Sequence, residues 1–274
     1  GKWERELTIN KVDEETGEAL GGAEFTIVDT VTSEEQTAIT EADGKAEVML
    51  EGGTYSITET QAPEGYKLNT TPVIVTITKD GTNEITVENE SKPKVIIHHY
   101  ISGTMRKVPS NVVGEVVEDE IKKGDAGTTY TSTSADNVAQ GYELVGTPAN
   151  ATGEFSDEET IEVIYYYEPQ DTSVIVKYYD KNTNEPIPEV ENVLHEGKVG
   201  DPFDVGSDVK EIEGYILAEE PEEKTGNMTY EQIEKIYYYV KQKNITIIVD
   251  KIWADNDDEN EKRPTSIKFV ISKP

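Results

Sequence analysis

Five short anchors occur twice, in the same order, within the middle of this chain, and that duplication constrains the fold more than any other feature. Val95-Ile96-Ile97-His98-His99-Tyr100 pairs with Val174-Ile175-Val176-Lys177-Tyr178-Tyr179, and Gly124-Asp125 with Gly200-Asp201. Gly141-Tyr142-Glu143-Leu144 pairs with Gly214-Tyr215-Ile216-Leu217, and Thr152-Gly153 with Thr225-Gly226. The set closes on Ile164-Tyr165-Tyr166-Tyr167 and Ile236-Tyr237-Tyr238-Tyr239. Ordered recurrence predicts two homologous modules, 92–170 and 171–243, the second slightly shorter. A further module precedes them at 1–91, and 244–274 follows, too short to fold alone. Polar stretches at 90–93, 169–172 and 241–244 read as linkers.

Almost every segment reads as strand and turn. Short runs rich in Val, Ile, Thr and Tyr occupy 7–11, 23–28, 55–59, 73–78, 85–89, 95–100, 162–167, 174–179 and 235–240. Asp43-Gly44, Asp80-Gly81 and Pro63-Glu64-Gly65 supply turns between them. Long amphipathic helical patterns are absent, so the chain is expected to be mainly β.

Charge narrows the partners. Lys plus Arg total 25 against 56 for Asp plus Glu, a formal charge of −31 over 274 residues. Such a chain repels phosphate backbones and anionic lipid surfaces, which excludes nucleic acid and direct membrane contact. No apolar stretch approaches the roughly 20 residues that span a bilayer. Neither a signal-peptide pattern nor a hydrophobic C-terminal tail is present, so the chain reads as an internal piece of something larger. Zero Cys removes disulfides, Cys-ligated zinc and thiol nucleophiles together. With only His98, His99 and His195, no metal or cofactor site is expected.

Period-two bookkeeping in the first module gives the sharpest chemical signal. Leu7, Ile9 and Lys11 share one strand face; so do Tyr55, Ile57 and Glu59, and Ile85, Val87 and Asn89. Each apolar series ends on a polar residue. Taken singly, each reads as a strand-end residue reaching solvent, or as a buried Lys–Glu pair with Asn alongside. Taken together they are costly, because burying an amine and a carboxyl requires mutual neutralisation. Desolvation lowers an amine's pKa and raises a carboxyl's, so such a pair can sit uncharged. A neutral amine is a nucleophile, and a protonated carboxyl can hydrogen-bond a carboxamide oxygen and stabilise charge developing there. Attack would then expel ammonia and leave an amide between two side chains.

These residues resemble the Cna B-type/SpaA-type domains of Gram-positive surface proteins and pilins over about 5–91. Leu7-Thr8-Ile9-Asn10-Lys11 is similar to the family's first strand, and Ala19-Leu20-Gly21-Gly22-Ala23-Glu24-Phe25 to its second-strand entry. Thr54-Tyr55-Ser56-Ile57-Thr58-Glu59-Thr60-Gln61-Ala62-Pro63-Glu64-Gly65-Tyr66 resembles its acidic box, and Ile85-Thr86-Val87-Glu88-Asn89 its closing strand. The resemblance implies a prealbumin-like (Ig-like) β-sandwich and a spontaneous Lys11–Asn89 isopeptide bond promoted by Glu59. Ile245, Ile247, Val249 and Lys251 again share a face, and the stretch around Trp253 resembles the opening of another such domain. Lys251 is its candidate amine, with no partner for a bond expected within this chain. The acidic loop 255–261 lacks the Gly and terminal Glu of an EF-hand and reads as solvated.

The repeated pair resembles MucBP repeats of mucosal Gram-positive adhesins over about 94–241. Its opening Val/Ile-Tyr strand, Gly-Tyr-Glu-Leu with Thr147-Pro148, and closing Ile-Tyr-Tyr-Tyr strand carry the resemblance. Met105-Arg106-Lys107 and the acidic run 219–223 depart from the pattern. The resemblance implies β-grasp-like, ubiquitin-related modules and mucin-glycan binding. In each Tyr run the outer rings share a face and the middle one points away, so core packing explains most of the rings.

The expected function is therefore structural: an extracellular stalk or spacer of a cell-wall-anchored adhesin, its β modules in a linear array and its anchor outside this chain. Its partners would be neighbouring domains of the same protein. The alternative is a direct adhesin segment that binds host mucin, another glycan or an extracellular-matrix ligand through the repeats. No enzyme is expected, because Glu59 serves one intramolecular event without turnover.

Overall fold

The computed structural model describes residues 2–244, 246–254 and 264–270. Two compact units emerge: one from Gly1–Ile175, Leu194–Asp204 and Thr225–Glu234, the other from Val176–Val193, Val205–Lys224 and the described residues from Lys235 on.

In the first unit, seven strands precede the repeats: β1 (Glu4–Asp13), β2 (Glu24–Asp29), β3 (Glu35–Ile39), β4 (Lys45–Glu51), β5 (Thr54–Gln61), β6 (Val73–Thr76) and β7 (Asn83–Asn89). They form two sheets, ordered β4-β1-β7 and β3-β2-β5-β6. Leu7, Ile9, Ala46, Leu50 and Val87 from the first meet Phe25, Ile27, Tyr55 and Ile57 from the second in one buried core. The strands form where alternation gives each sheet one apolar face, and they stop where side chains capture the backbone. Asp13 Oδ1 accepts from the N–H groups of Glu15 and Thr16, and Asp29 Oδ1 from those of Val31 and Thr32. The first and last strands, β1 and β7, run parallel, with Lys11 opposite Val87 and Asp13 opposite Asn89.

The first repeat contains β8 (Lys94–Ile101), β9 (Glu120–Lys123), β10 (Thr129–Thr131), β11 (Tyr142–Leu144), β12 (Thr152–Glu154) and β13 (Ile161–Pro169). Its sheet is ordered β11-β13-β8-β9, with first and last strands parallel at the centre, and β10 pairs with β12 beside it. That order is β-grasp-like, but no helix packs on the sheet among the described residues. Val95, Ile97, Val163, Tyr165 and Tyr167 fill its core together with Tyr130 and Phe155.

The second repeat contains β14 (Asp171–Asp180), β15 (Glu185–Pro186), β16 (Val193–Lys198), β17 (Pro202–Asp204), β18 (Tyr215–Glu219), β19 (Thr225–Asn227) and β20 (Ile233–Lys241). A five-stranded sheet ordered β15-β14-β20-β18, with β16 also on β14, again sets the first and last strands side by side, and β17 pairs with β19. Only Gln170 separates β13 from β14, so what reads as a linker at 169–172 is almost entirely strand.

The expected strand ending on Lys251 does not form: residues 246–254 carry no strand. No described segment pairs with them, and an unpaired strand leaves its backbone groups without partners. Ile245 and the acidic loop 255–261 lie outside the described residues.

Candidate functional site

Lys11 on β1, Glu59 on β5 and Asn89 on β7 converge inside the sandwich, at 0%, 3% and 1% exposure. The two sheets supply them from facing surfaces. The Glu59 carboxyl joins the other two: Oε1 lies 3.0 Å from Lys11 Nζ, and Oε2 accepts from Asn89 Nδ2 at 2.9 Å. The Phe25 ring, centred 5.9 Å from Nζ, helps to wall off water. Burial pushes the Lys11 amine below the usual lysine value of 10.5; the contact with Glu59 and the charges of Glu59 and Glu88 act the other way without outweighing it.

Lys11 Nζ and Glu59 Oε1 are satisfied only by each other, as a buried ion pair at 3.0 Å, and Asn89 Oδ1 is buried without a hydrogen-bond partner among the described residues. An unpartnered buried oxygen costs on the order of 1–3 kcal/mol. An isolated ion pair beside an unsatisfied amide marks a place where stability gives way to chemistry.

A carbonyl of the chain itself fixes the acceptor amide. Asn89 Nδ2 also donates to Lys67 O at 2.7 Å, and the Asn69 N–H donates to Glu59 Oε2 at 2.7 Å. A carbonyl oxygen only accepts, so the atom facing it must be Nδ2. The amide therefore turns its nitrogen, rather than its oxygen, toward Glu59. This differs from the sequence expectation, in which the carboxyl met the amide oxygen.

Residues beyond the expected three contribute. Asp13 continues the inward face of β1 past Lys11, and Tyr66 donates to its Oδ2 at 2.7 Å. The β1 alternation, extended by two positions, would have pointed to Asp13. Nothing local pointed to the Lys67 carbonyl or the Asn69 N–H, since backbone groups carry no sequence signature.

The remaining candidates separate from this cluster. Lys251 is exposed, its Nζ 4.9 Å over the Trp253 ring. In the tyrosine runs the outer rings are buried, Tyr165 and Tyr167 in one repeat and Tyr237 and Tyr239 in the other, while Tyr166 is 38% exposed. Their hydroxyls are used inside. Tyr165 bonds Ser132 Oγ at 2.9 Å, Tyr167 accepts from the Ala135 N–H at 2.8 Å, and Tyr237 and Tyr239 donate to the carbonyls of Val205 and Lys210 at 2.7 Å each. His98 is buried with Nε2 3.1 Å from Glu162 and Nδ1 2.9 Å from both the Tyr100 hydroxyl and Asp119.

Residues 5–91 match the SpaA prealbumin-like fold domain, and residues 111–168 and 173–240 each match the MucBP domain. Internalin J of Listeria monocytogenes serotype 4b is 28% identical over 218 residues, and that of serovar 1/2a is 30% identical over 200. These stretches cover 77% and 70% of this chain but 22% of each relative, so the chain spans about a fifth of their length. Among solved structures, a group B streptococcus pilus 2b backbone protein is 27% identical, covering 31% of this chain and 40% of that one (TM-score 0.28). The major pilin subunit of Bacillus cereus is 12% identical, covering 88% and 100% (TM-score 0.31).

Proposed function

On the premise that the chain carries a SpaA prealbumin-like domain followed by two MucBP domains, as pilin- and adhesin-like surface proteins do, we propose that it is a stalk segment of a cell-wall-anchored adhesin. In this reading the domains are 1–91, 92–170 and 171–243, with 244–274 opening a further SpaA-like domain to which Lys251 belongs. A self-formed Lys11–Asn89 isopeptide bond, promoted by Glu59, ties the first strand of the sandwich to its last. The observation that carries the proposal is the single buried carboxyl touching both the amine and the amide, at 3.0 and 2.9 Å.

The chemistry balances without any external reagent. A proton passes from Lys11 to Glu59, leaving a neutral amine, which desolvation favours. Nζ attacks the Asn89 side-chain carbonyl carbon, a C–N bond forms, and the bond from that carbon to Nδ2 breaks. Nζ gives up one further proton, the departing nitrogen gains one through Glu59 Oε2, and ammonia leaves. Glu59 is positioned to protonate the leaving group, and fixed proximity in a dry site replaces a catalyst.

Closing a loop of this length is worth on the order of 4 kcal/mol of denatured-state entropy if the link acts as a disulfide does. Intact mass spectrometry tests the reading: the purified chain should be lighter than its sequence by one ammonia, and peptide mapping should recover a branched Lys11–Asn89 peptide. The Glu59→Ala chain should keep its full mass and lose several kcal/mol in denaturant titration. A wild-type mass equal to the sequence mass refutes the proposal.

A second reading, binding of host mucin or another surface ligand by the repeats, draws support from the MucBP matches. The exposed Tyr166 ring is its best candidate contact in the first repeat.

A further inference from the structure

We propose that Asp13 and Tyr66 are positioning residues for the cross-link: their hydrogen bond holds the segment whose carbonyl orients the Asn89 amide for attack. The proposal rests on the Lys11–Asn89 reading above and adds to it a device that decides which way the amide faces.

The segment in question needs holding. Residues 62–72 connect β5 to β6 outside any strand ladder, yet Lys67 O in this connection accepts from Asn89 Nδ2 at 2.7 Å. Its neighbour Tyr66 is 6% exposed and is secured at both ends. Its N–H closes the proline turn onto Pro63 O at 3.1 Å, and its hydroxyl donates to Asp13 Oδ2 at 2.7 Å. The next peptide is then pinned by the Lys67 N–H to Glu90 O at 2.9 Å.

Asp13 is a rigid anchor for this contact. It is the register partner of Asn89 in the parallel β1–β7 pair, and the next residue's N–H, that of Glu14, donates to Asn89 O at 2.9 Å. Its other oxygen takes the N–H groups of Glu15 and Thr16 at 2.8 and 2.9 Å. Burial works to raise its pKa, but the bonds from Thr16, Tyr66 and Glu15 outweigh that and bring it down to about 2. The acceptor for the Tyr66 hydroxyl is therefore charged throughout the neutral range. The chain Asp13–Tyr66–Lys67–Asn89 thus links the backbone beside the acceptor residue to the orientation of its side chain.

If the Lys67 carbonyl drifts, the amide can rotate, and Oδ1 then faces Glu59 in place of the leaving nitrogen. A reacting group misplaced by about 1 Å costs as much as 10²-fold in rate. A pure staple would lower stability without changing that rate.

Tyr66→Phe removes the hydroxyl and keeps the ring, in the full chain. Freshly purified, it should contain uncross-linked protein that loses ammonia at least about tenfold more slowly than wild type, followed by intact mass over time. The second readout uses Lys11→Ala, in which no bond forms. There the Asn89 side-chain amide should show hydrogen-exchange protection in nitrogen–proton NMR spectra. Adding Tyr66→Phe should cut that protection about tenfold while the backbone amides of β1 and β7 keep theirs. Should Tyr66→Phe fail to fold, Asp13→Asn, of equal volume, is read the same way. Cross-linking of the variants as fast as wild type, with unchanged Asn89 protection, overturns this proposal and leaves the isopeptide bond standing. A wild-type chain of full mass removes the reading beneath both.

Discussion

Lys11 shows what one residue's burial can do. An exposed lysine is an inert cation at neutral pH, whereas a lysine with its Nζ in a dry core beside Glu59 is pushed toward the neutral amine. Period-two arithmetic placed Lys11, Glu59 and Asn89 on inward faces, and all three are buried there. It stopped one alternation short of Asp13, because a second carboxyl reads as the strand's polar end. Asp13 carries its own pH signature. Its folded pKa is depressed from 3.8 to about 2, so the stability it contributes is full above about pH 4 and is lost as pH falls through about 2. Denaturant titrations should show the wild type's advantage over Asp13→Asn shrinking by about 2 kcal/mol across that window. An advantage that stays constant would mean that the carboxylate's hydrogen bonds do not select its charged form.

At the scale of elements, the proline turn after β5 determines whether the cluster is complete. Gly65 closes that turn at φ +80°, and a Cβ built there would come within 2.8 Å of Lys123 Cδ. Lys123 Nζ in turn sits 4.2 Å over the Tyr66 ring, and the Lys92 N–H donates to Gly65 O at 3.0 Å. One glycine thus lets the box, the following segment and β9 meet. Gly65→Ala should cost about 1–2 kcal/mol in a denaturant midpoint, from the left-handed backbone alone. A smaller loss would show that the turn relaxes to another conformation. Apart from β3, β4, β16 and β18, which run to five to seven residues and were passed over, nine strands were legible from alternation and turn residues. The short ones, such as β10, β12, β17 and β19, were not, because three residues carry too little pattern and pairing alone defines them. The stretch 246–254 errs in the other direction: its alternation reads as strand, but it lacks a pairing partner among the described residues.

For the whole molecule, the duplicated sequence became a duplicated sheet order, with first and last strands side by side at the centre of each copy, and parallel in the first. Buried outer tyrosines with hydroxyls tied to backbone and side chains make those strands core elements. This bears on the choice between stalk and direct adhesin. Few tyrosine faces remain for stacking on sugars, and a net charge of −31 opposes sialylated or sulfated ligands. The stalk reading predicts no capture of the full chain on immobilised mucin at physiological salt; capture that Tyr166→Ala weakens would favour the adhesin reading.

Composition, alternation and the repeat determined by themselves that the chain is β, modular, cysteine-free and repelled by polyanions. They also placed an amine, a carboxyl and an amide on inward faces, since side-chain direction along a strand follows from local geometry. Only the tertiary structure decided that the three meet on one carboxyl and that the amide presents its nitrogen to it. The hydrogen bond that steadies this arrangement joins Asp13 to Tyr66, 53 positions apart. Such meetings depend on how two sheets stack and on where a loop's carbonyl points, and no local pattern encodes either.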